Sequence, residues 1–168
     1  RSWLDNLTLK VSYGVQGNDN LGTYYAWQGN YDYTWANASE AGAMRKTLEN
    51  KSVTWEKNAN LNTGIEATMF GGRLGVSVEY YNRKTRDMLL NSPLPISTGF
   101  TGFNDNVGSR RNQGLEVSLR GTILDKRDFR WDATLMGSFN RNKVLSLTGG
   151  QDVITSGIRV IEVGRALY

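Results

Sequence analysis

Between residues 61 and 69 the chain sets Leu61, Thr63, Ile65, Ala67 and Met69 at odd positions against Asn62, Gly64, Glu66 and Thr68 at even ones. After Phe70-Gly71-Gly72-Arg73 the alternation restarts, with Leu74, Val76, Val78 and Tyr80 against Gly75, Ser77, Glu79 and Tyr81. A period of two apolar and polar residues belongs to a strand with two unlike faces. Two such strands about a Gly-Gly pair make an antiparallel hairpin. An ordinary half-buried hairpin of a soluble sandwich fits this pattern too. What argues otherwise is length, since each arm extends well past the roughly 5–6 residues of a usual globular strand.

The same alternation recurs along the chain. Leu7, Leu9, Val11, Tyr13 and Val15 alternate with polar neighbours, predicting a first strand of about nine residues that ends in the turn-forming cluster Gly17-Asn18-Asp19-Asn20. Leu115, Val117 and Leu119 mark a further strand that begins around Val107. Phe129, Trp131, Ala133, Leu135, Gly137 and Phe139 mark another, after the short turn Asp125-Lys126-Arg127-Asp128. Between the first strand and the hairpin lies a long irregular stretch, residues 21–52, whose middle (36–46) is poor in β-formers and is expected to hold one or two helical turns. Residues 91–106 form a second long connection with both prolines, Pro93 and Pro95. The last section, 148–168, opens on Gly149-Gly150 and reads as extended but irregular.

Connection lengths therefore alternate: long, short, long, short, long. Loops beyond about 12–15 residues are uncommon in compact domains, and this alternation puts all of them at the same end of a sheet. Outer-membrane barrels are built so, with short periplasmic turns and long outer loops. In that arrangement the first strand rises outward, 53–69 descends and 74–90 rises again. Odd positions of four strands and even positions of the strand from Leu74 would meet lipid. Lys10, Glu66, Glu79, Glu116, Arg120, Arg130 and Asp132 would all fall on the opposite, water-facing side. Had any of these seven fallen among the lipid-facing residues, it would cost a few kcal/mol near the bilayer midplane; none of the seven does. Phe70, Phe129 and Trp131 sit by the short turns, where an aromatic girdle belongs.

Composition narrows the function classes. The 168 residues contain 19 Gly, 2 Pro, 8 Tyr, 5 Trp and 5 Phe, with mean hydropathy −0.48, too aromatic for disorder and poorly suited to helices. No window approaches the roughly 18 consecutive apolar residues of a membrane-spanning helix, though barrel strands escape that criterion. Cysteine and histidine are absent, which excludes thiol chemistry, a serine triad and the commonest metal ligands. No two of the 16 acids are marked as a facing pair for glycoside hydrolysis, and no helix follows the glycine pairs to make a phosphate loop. The chain reads as no enzyme and as carrying no cofactor. Its net charge of +4 is scattered, without the stripe of a nucleic-acid binder.

Several segments, in order, resemble the SusC/RagA family of TonB-dependent outer-membrane transporters: VSYGVQGNDN (11–20), WE (55–56), VEYYNRKTRDMLL (78–90), PLPISTGF (93–100), NVGSRRNQGLE (106–116), FRWD (129–132), NRNKVLSL (140–147) and EVGRAL (162–167). The resemblance implies an all-β chain of about five consecutive antiparallel, up-and-down strands from a large transmembrane β-barrel of the roughly 22-stranded, plugged kind. It covers residues 1–168 as a partial barrel domain. No signal peptide, plug, TonB-contacting segment or aromatic-ended terminal strand is recognisable, so the expectation is a late portion of a longer protein. The implied activity is import of glycans or oligopeptides across the outer membrane. The implied partners are a SusD-like surface lipoprotein, TonB acting through the plug, the substrate and outer-membrane lipid. A soluble carbohydrate-binding β-sandwich and a simple porin or adhesin barrel are the alternatives.

Within this frame Tyr24, Tyr25, Trp27, Tyr31, Tyr33, Trp35, Phe100 and Phe103 are candidates to touch substrate or a lid. Packing of the long loop against itself is the favoured role for the first six, because such a loop needs its own small core. Lys10, Glu66, Glu79, Glu116, Arg120 and Asp132 are candidates to face the lumen, as a solute path or as cross-strand and plug partners. Asn18-Asp19-Asn20 and Asn104-Asp105-Asn106 cluster oxygens suited to Ca²⁺, but Asx turns that bond their own backbone are favoured and no metal is assigned. Arg110 and Arg111 could meet lipopolysaccharide phosphates or be simple surface charge.

Overall fold

A computed structural model describes residues 3–22, 24–25, 27–37, 40–147, 150–156 and 158–166. Arg1 and Ser2, the Thr148-Gly149 opening of the last section, and Leu167 of the final motif lie outside the described residues. The strands are β1 (Leu4–Asn18), β2 (Tyr31–Asn37), β3 (Glu40–Arg45), β4 (Glu56–Met69), β5 (Leu74–Arg86), β6 (Leu89–Pro93), β7 (Gly102–Asn106), β8 (Ser109–Lys126), β9 (Phe129–Ser146), β10 (Val153–Ser156) and β11 (Arg159–Glu162), with one 3₁₀ turn at Ile96–Thr98. The five long strands form one open sheet in the order β1-β4-β5-β8-β9, each long strand beside the next along the chain.

The chain divides into two compact units. The first comprises residues 1–15, 59–84 and 111–142 and contains the body of the sheet with both short turns. The second comprises residues 16–58, 85–110 and 143–168 and contains all three long connections, the segregation by length expected from the sequence. In the first unit the bonds Phe70 N to Trp3 O (2.9 Å) and Thr122 N to Arg73 O (2.8 Å) set antiparallel registers. The 70–73 turn needs three successive left-handed residues, Phe70 (φ 58°), Gly71 (66°) and Gly72 (80°). Glycine takes that conformation at no steric cost, and Asp5 accepts a bond from Gly72 N at 2.9 Å to hold it.

Every buried hydrophobic among the described residues (Met88, Val107, Val144, Leu147 and Ile154) belongs to the second unit. In the first, Leu74, Val78 and Val117 are only half-buried and Leu135 is 69% exposed. A globular sandwich would have sealed these residues together; here they stay half-buried or exposed along one face of the first unit's sheet. The edge strands β1 and β9 expose large apolar residues such as Leu9, Val11, Tyr13, Met136 and Phe139.

The structure departs from the sequence reading in four ways. The first strand runs 15 residues rather than nine, with β4 as its neighbour in the sheet. The helical turns expected within 36–46 are replaced by the β2–β3 hairpin, paired Tyr31↔Arg45 through Asn37↔Glu40 with a bulge between Asp32 and Trp35. There the aromatic run Tyr31, Tyr33 and Trp35 recruits a partner strand of weak intrinsic preference, so ladder pairing overrides local propensity. At the bulge, the Thr34 hydroxyl (2.7 Å) and amide (3.1 Å) donate to Asp32 and hold its carboxyl below the usual range. The connection at 91–106 is likewise ordered, as β6–β7 paired Leu89↔Asn106 through Pro93↔Gly102 around the 3₁₀ turn. The last section is a hairpin too, β10–β11, Val153↔Glu162 through Ser156↔Arg159.

Val107, Val144, Leu147 and Ile154 form the second unit's core, flanked by Leu90, Ile161 and Val163. Gly108, at φ 97°, lets the chain pass against Leu147, where a β-carbon would lie 2.8 Å from its Cα. Val144 is fully buried, and its amide and carbonyl bond Arg165 O (2.8 Å) and Gly164 N (2.9 Å). Val144→Ala is expected to cost about 2 kcal/mol by opening a cavity. Limited proteolysis would check it: cleavage between 153 and 162 should rise while cleavage at the 70–73 turn stays unchanged.

Candidate functional site

On the charged face of the first unit, alternation carries Lys10 and Ser12 of β1, Asn62, Gly64 and Glu66 of β4, Glu79, Tyr81 and Arg83 of β5, and Glu116 of β8. Lys10 Nζ donates to Glu66 Oε1 in an ion pair, and Asn62 Nδ2 donates to Ser12 Oγ at 3.3 Å. Both charged side chains stay about half exposed (51% and 42%), so water screens much of their attraction. Arg83 Nε donates to Asn60 Oδ1 at 2.8 Å. Gly64 and Gly114 leave room for their neighbours: a β-carbon at 64 would meet Glu79 Cγ at 3.1 Å, and one at 114 would collide with the Tyr81 ring.

These side chains line a groove of about 700 Å³ whose polar lining includes Lys10, Asn62, Glu79, Arg83, Asn112 and Glu116. A second groove of about 470 Å³ runs between Ser77, Glu79, Glu116, Ser118 and Ser138. Next to the short turn, Asp132 accepts from Thr122 Oγ1 (2.6 Å) and Arg130 Nε (2.9 Å). Of the six charged candidates, the structure brings Lys10 and Glu66 into contact, sets Glu79 and Glu116 on shared groove walls, and places Arg120 beside Gly75. Asp132 stands apart with its own cluster. Serine, asparagine and carboxylate lining of this kind offers donors and acceptors to a polar solute; no nucleophile–base pair is formed. Among the described residues no three acids converge as a metal site.

In the second unit, Asp19, Asn20, Leu21, Gly22, Tyr24, Tyr25, Trp27 and Val53 line a pocket of about 720 Å³. The aromatic side chains do not build the small core favoured from the sequence. Tyr24 is 96% exposed, and Tyr25, Trp27, Tyr31, Tyr33 and Trp35 are all on the surface. Hydrogen bonds and hairpin ladders order the connection instead. Phe100 and Phe103 are half-buried; Phe103 borders a small cleft with Tyr25, Asn30 and Asn104. Trp55 lies across Gly17, where a β-carbon would come within 2.7 Å of the indole.

Two asparagines that the sequence did not single out as structural ties clasp two of the long connections together. Asn50 Nδ2 donates to Asn104 O (2.9 Å) and Asp105 Oδ1 (3.1 Å). Asn106 Oδ1 accepts from Thr54 N (2.8 Å), while its Nδ2 donates to Thr54 O (2.9 Å) and Asp87 O (2.8 Å). The side-chain amide of Asn106 thus imitates a strand residue and extends a ladder sideways. Asp87 holds a left-handed backbone, φ 55°, and pairs with Lys57 at 3.4 Å. Of the oxygens considered for Ca²⁺, Asn18 Oδ1 and Asn20 Oδ1 accept from the amides of Asn20 (3.1 Å) and Gly22 (3.2 Å), and Asn104 O, Asp105 Oδ1 and Asn106 Oδ1 serve the clasp. Arg110 Nε donates to Thr85 Oγ1 at 3.4 Å, so it is no free surface cation.

Residues 2–163 match a family model described as TonB dependent receptor-like, beta-barrel. TonB-dependent receptor P26 of Formosa agariphila is 38% identical over 151 residues, covering 88% of this chain and 15% of that protein. TonB-dependent receptor SusC of Bacteroides thetaiotaomicron is 29% identical over 157 residues, covering 89% of this chain and 16% of SusC. Among solved structures the RagAB peptide transporter superposes with a TM-score of 0.86 at 33% identity, over 98% of this chain and 18% of that one. The 'open-open' state of the RagAB peptide importer gives 0.84. The chain therefore spans about one-sixth of the length of these curated relatives.

Replacing Asn106 by Ala is expected to loosen the clasped connections by about 0.5–1.5 kcal/mol, the net worth of hydrogen bonds to exposed and half-buried backbone groups. Hydrogen exchange at Thr54 should accelerate while amides of β4 and β5 keep their protection. A double-mutant cycle on Lys10 and Glu66 should give a coupling below about 1 kcal/mol; a larger value would mean the pair is shielded from water.

Proposed function

Because the chain belongs to the TonB-dependent receptor-like β-barrel family, we propose that it is a stretch of the barrel wall of an outer-membrane importer for glycans or oligopeptides. The observation that carries this reading is the uncovered apolar stripe of the first unit, set against a face of paired and groove-lining polar side chains. In a bilayer such a stripe is solvated by acyl chains, and every backbone group is satisfied once the sheet closes. The charged face, with Lys10, Glu66, Glu79, Glu116, Arg120 and Asp132, is then the lumen wall. The exposed aromatics Tyr24, Tyr25, Trp27, Tyr31, Tyr33 and Trp35, with Phe100 and Phe103, sit on outer loops that meet substrate or a lid. Flat rings suit both sugar C–H faces and peptide side chains.

The resemblance to SusC and the RagAB assemblies supports a SusD-like surface lipoprotein as the partner, and energy from TonB acting on a plug elsewhere in the parent protein. No catalytic step is assigned to the chain; its contribution is binding, gating and a sealed wall. An outer-membrane location follows from the same reading.

The test uses the full-length parent protein in its own bacterium. It should fractionate with the outer membrane, co-purify with a surface lipoprotein, and import its solute only when TonB is present. Recovery in the soluble fraction would sink the reading, and TonB-independent passage without a lipoprotein would favour a simple porin. Within the wall, Val117→Arg should lower folding stability in bilayers by about 2–4 kcal/mol, whereas Ser118→Arg on the charged face should cost much less. Equal costs would show that the two faces have been assigned wrongly.

A further inference from the structure

The sequence places five cations in two clusters, Arg83-Lys84-Arg86 and Arg110-Arg111, and the pleat sorts four of them by face. Arg83 and Arg110 turn to the charged face, where they bond Asn60 and Thr85. Lys84 and Arg111 fall on the other face, in line with Leu74, Val76 and Val78 of β5 and with Leu115, Val117 and Leu119 of β8. The register brings them together. Thr122 bonds Arg73, Gly75 lies against Arg120, Gly114 lies against Tyr81, and Arg110 bonds Thr85. Continuing that ladder sets Lys84 directly across from Arg111.

Two like charges directly opposite each other on a sheet are destabilising, and neither of these has a carboxylate among the ion pairs of the described residues. Arg111 is half-buried, and its Nε is shielded from water with no hydrogen-bond partner; the same holds for Oδ1 of Asn82, two residues before Lys84 on the same face. A shielded guanidinium N–H without an acceptor is a costly arrangement unless an anionic oxygen is supplied from outside.

We infer that Lys84 and Arg111 form a binding site for a phosphate carried by a membrane lipid, with Asn82 and Gln113 beside it. The inference rests on the reading of this face as lipid-facing. Continuity selects the ligand: beyond Asn82 and Gln113 this face runs through Tyr80, Val78, Val76 and Leu74 of β5 and Leu115, Val117 and Leu119 of β8, so the anion that fits here is one attached to acyl chains. Arginine and lysine at such a boundary keep their stems along apolar surface and present their charges to headgroup oxygens. A fork-shaped guanidinium and an ammonium together match the several oxygens of a phosphate monoester.

The full-length parent transporter, extracted in detergent, provides the test by native mass spectrometry. The probes are a diphosphorylated acyl glycolipid, the same lipid with its phosphates removed, and inorganic phosphate. Wild type should retain the phosphorylated lipid at least tenfold better than the dephosphorylated one, and inorganic phosphate at equal concentration should not displace it. The K84Q/R111Q double variant should lose at least tenfold in retention. The charge-keeping K84R/R111K variant, and R127Q in the short turn, should bind as wild type does. The inference is overturned by retention unchanged in K84Q/R111Q, by equal binding of the dephosphorylated lipid, or by full competition from inorganic phosphate, which would mark a plain anion site. Should K84Q/R111Q fail to fold, loss of retention in R127Q equal to that in Lys84→Gln alone would overturn it. Fractionation separates the two failures: a protein absent from the outer membrane defeats the importer reading, whereas one present there with lipid binding indifferent to these variants defeats this inference alone.

Discussion

Period-two alternation obliges a strand to carry one kind of residue on each side, and a sheet of such strands must then find a different solvent for each face. In the first unit the apolar side chains of β4, β5 and β8 share one face of the sheet, yet among the described residues no hydrophobic side chain of that unit is buried. At about 25 cal/mol per Å², leaving such a stripe in water would forfeit most of the driving force that an ordinary domain of this size relies on. The sheet makes physical sense only with an apolar medium against that side, and a barrel wall in a bilayer provides it.

The second unit obeys a different economy. Its order comes from short hairpins, from the small cluster of Val107, Val144, Leu147 and Ile154, and from asparagine side chains acting as strand mimics. Asn50 and Asn106 give their amides to backbone groups of another connection, which ties the two connections through directional bonds rather than through ring packing. That leaves Tyr24, Tyr33 and their neighbours outward. Rings that support nothing internally are available to a ligand or partner.

Much of this was legible in the chain of letters. The five long strands, the two-faced pattern and the segregation of long from short connections follow from local spacing, because a strand's alternation is written residue by residue; the family resemblance rests on short motifs met in order. The fate of the loops was not. Residues 36–46 read as weak helix, yet Ala36 and Asn37 belong to β2 and Glu40–Arg45 form β3, since the aromatic strand beside them supplies a ladder. Loop aromatics read as a core, but the clasp removed the need for one. No spacing rule identifies Asn106 as a three-bond tie, because its partners Thr54 and Asp87 lie 52 and 19 residues away.

The sequence by itself determined that the chain is a sheet with one greasy and one wet side, since side-chain direction in a strand depends only on parity. Only the tertiary structure decided which cations meet across strands, which loop residues hold the connections, and which rings stand exposed. Those outcomes depend on register, and register is a relation between distant segments that no single stretch contains.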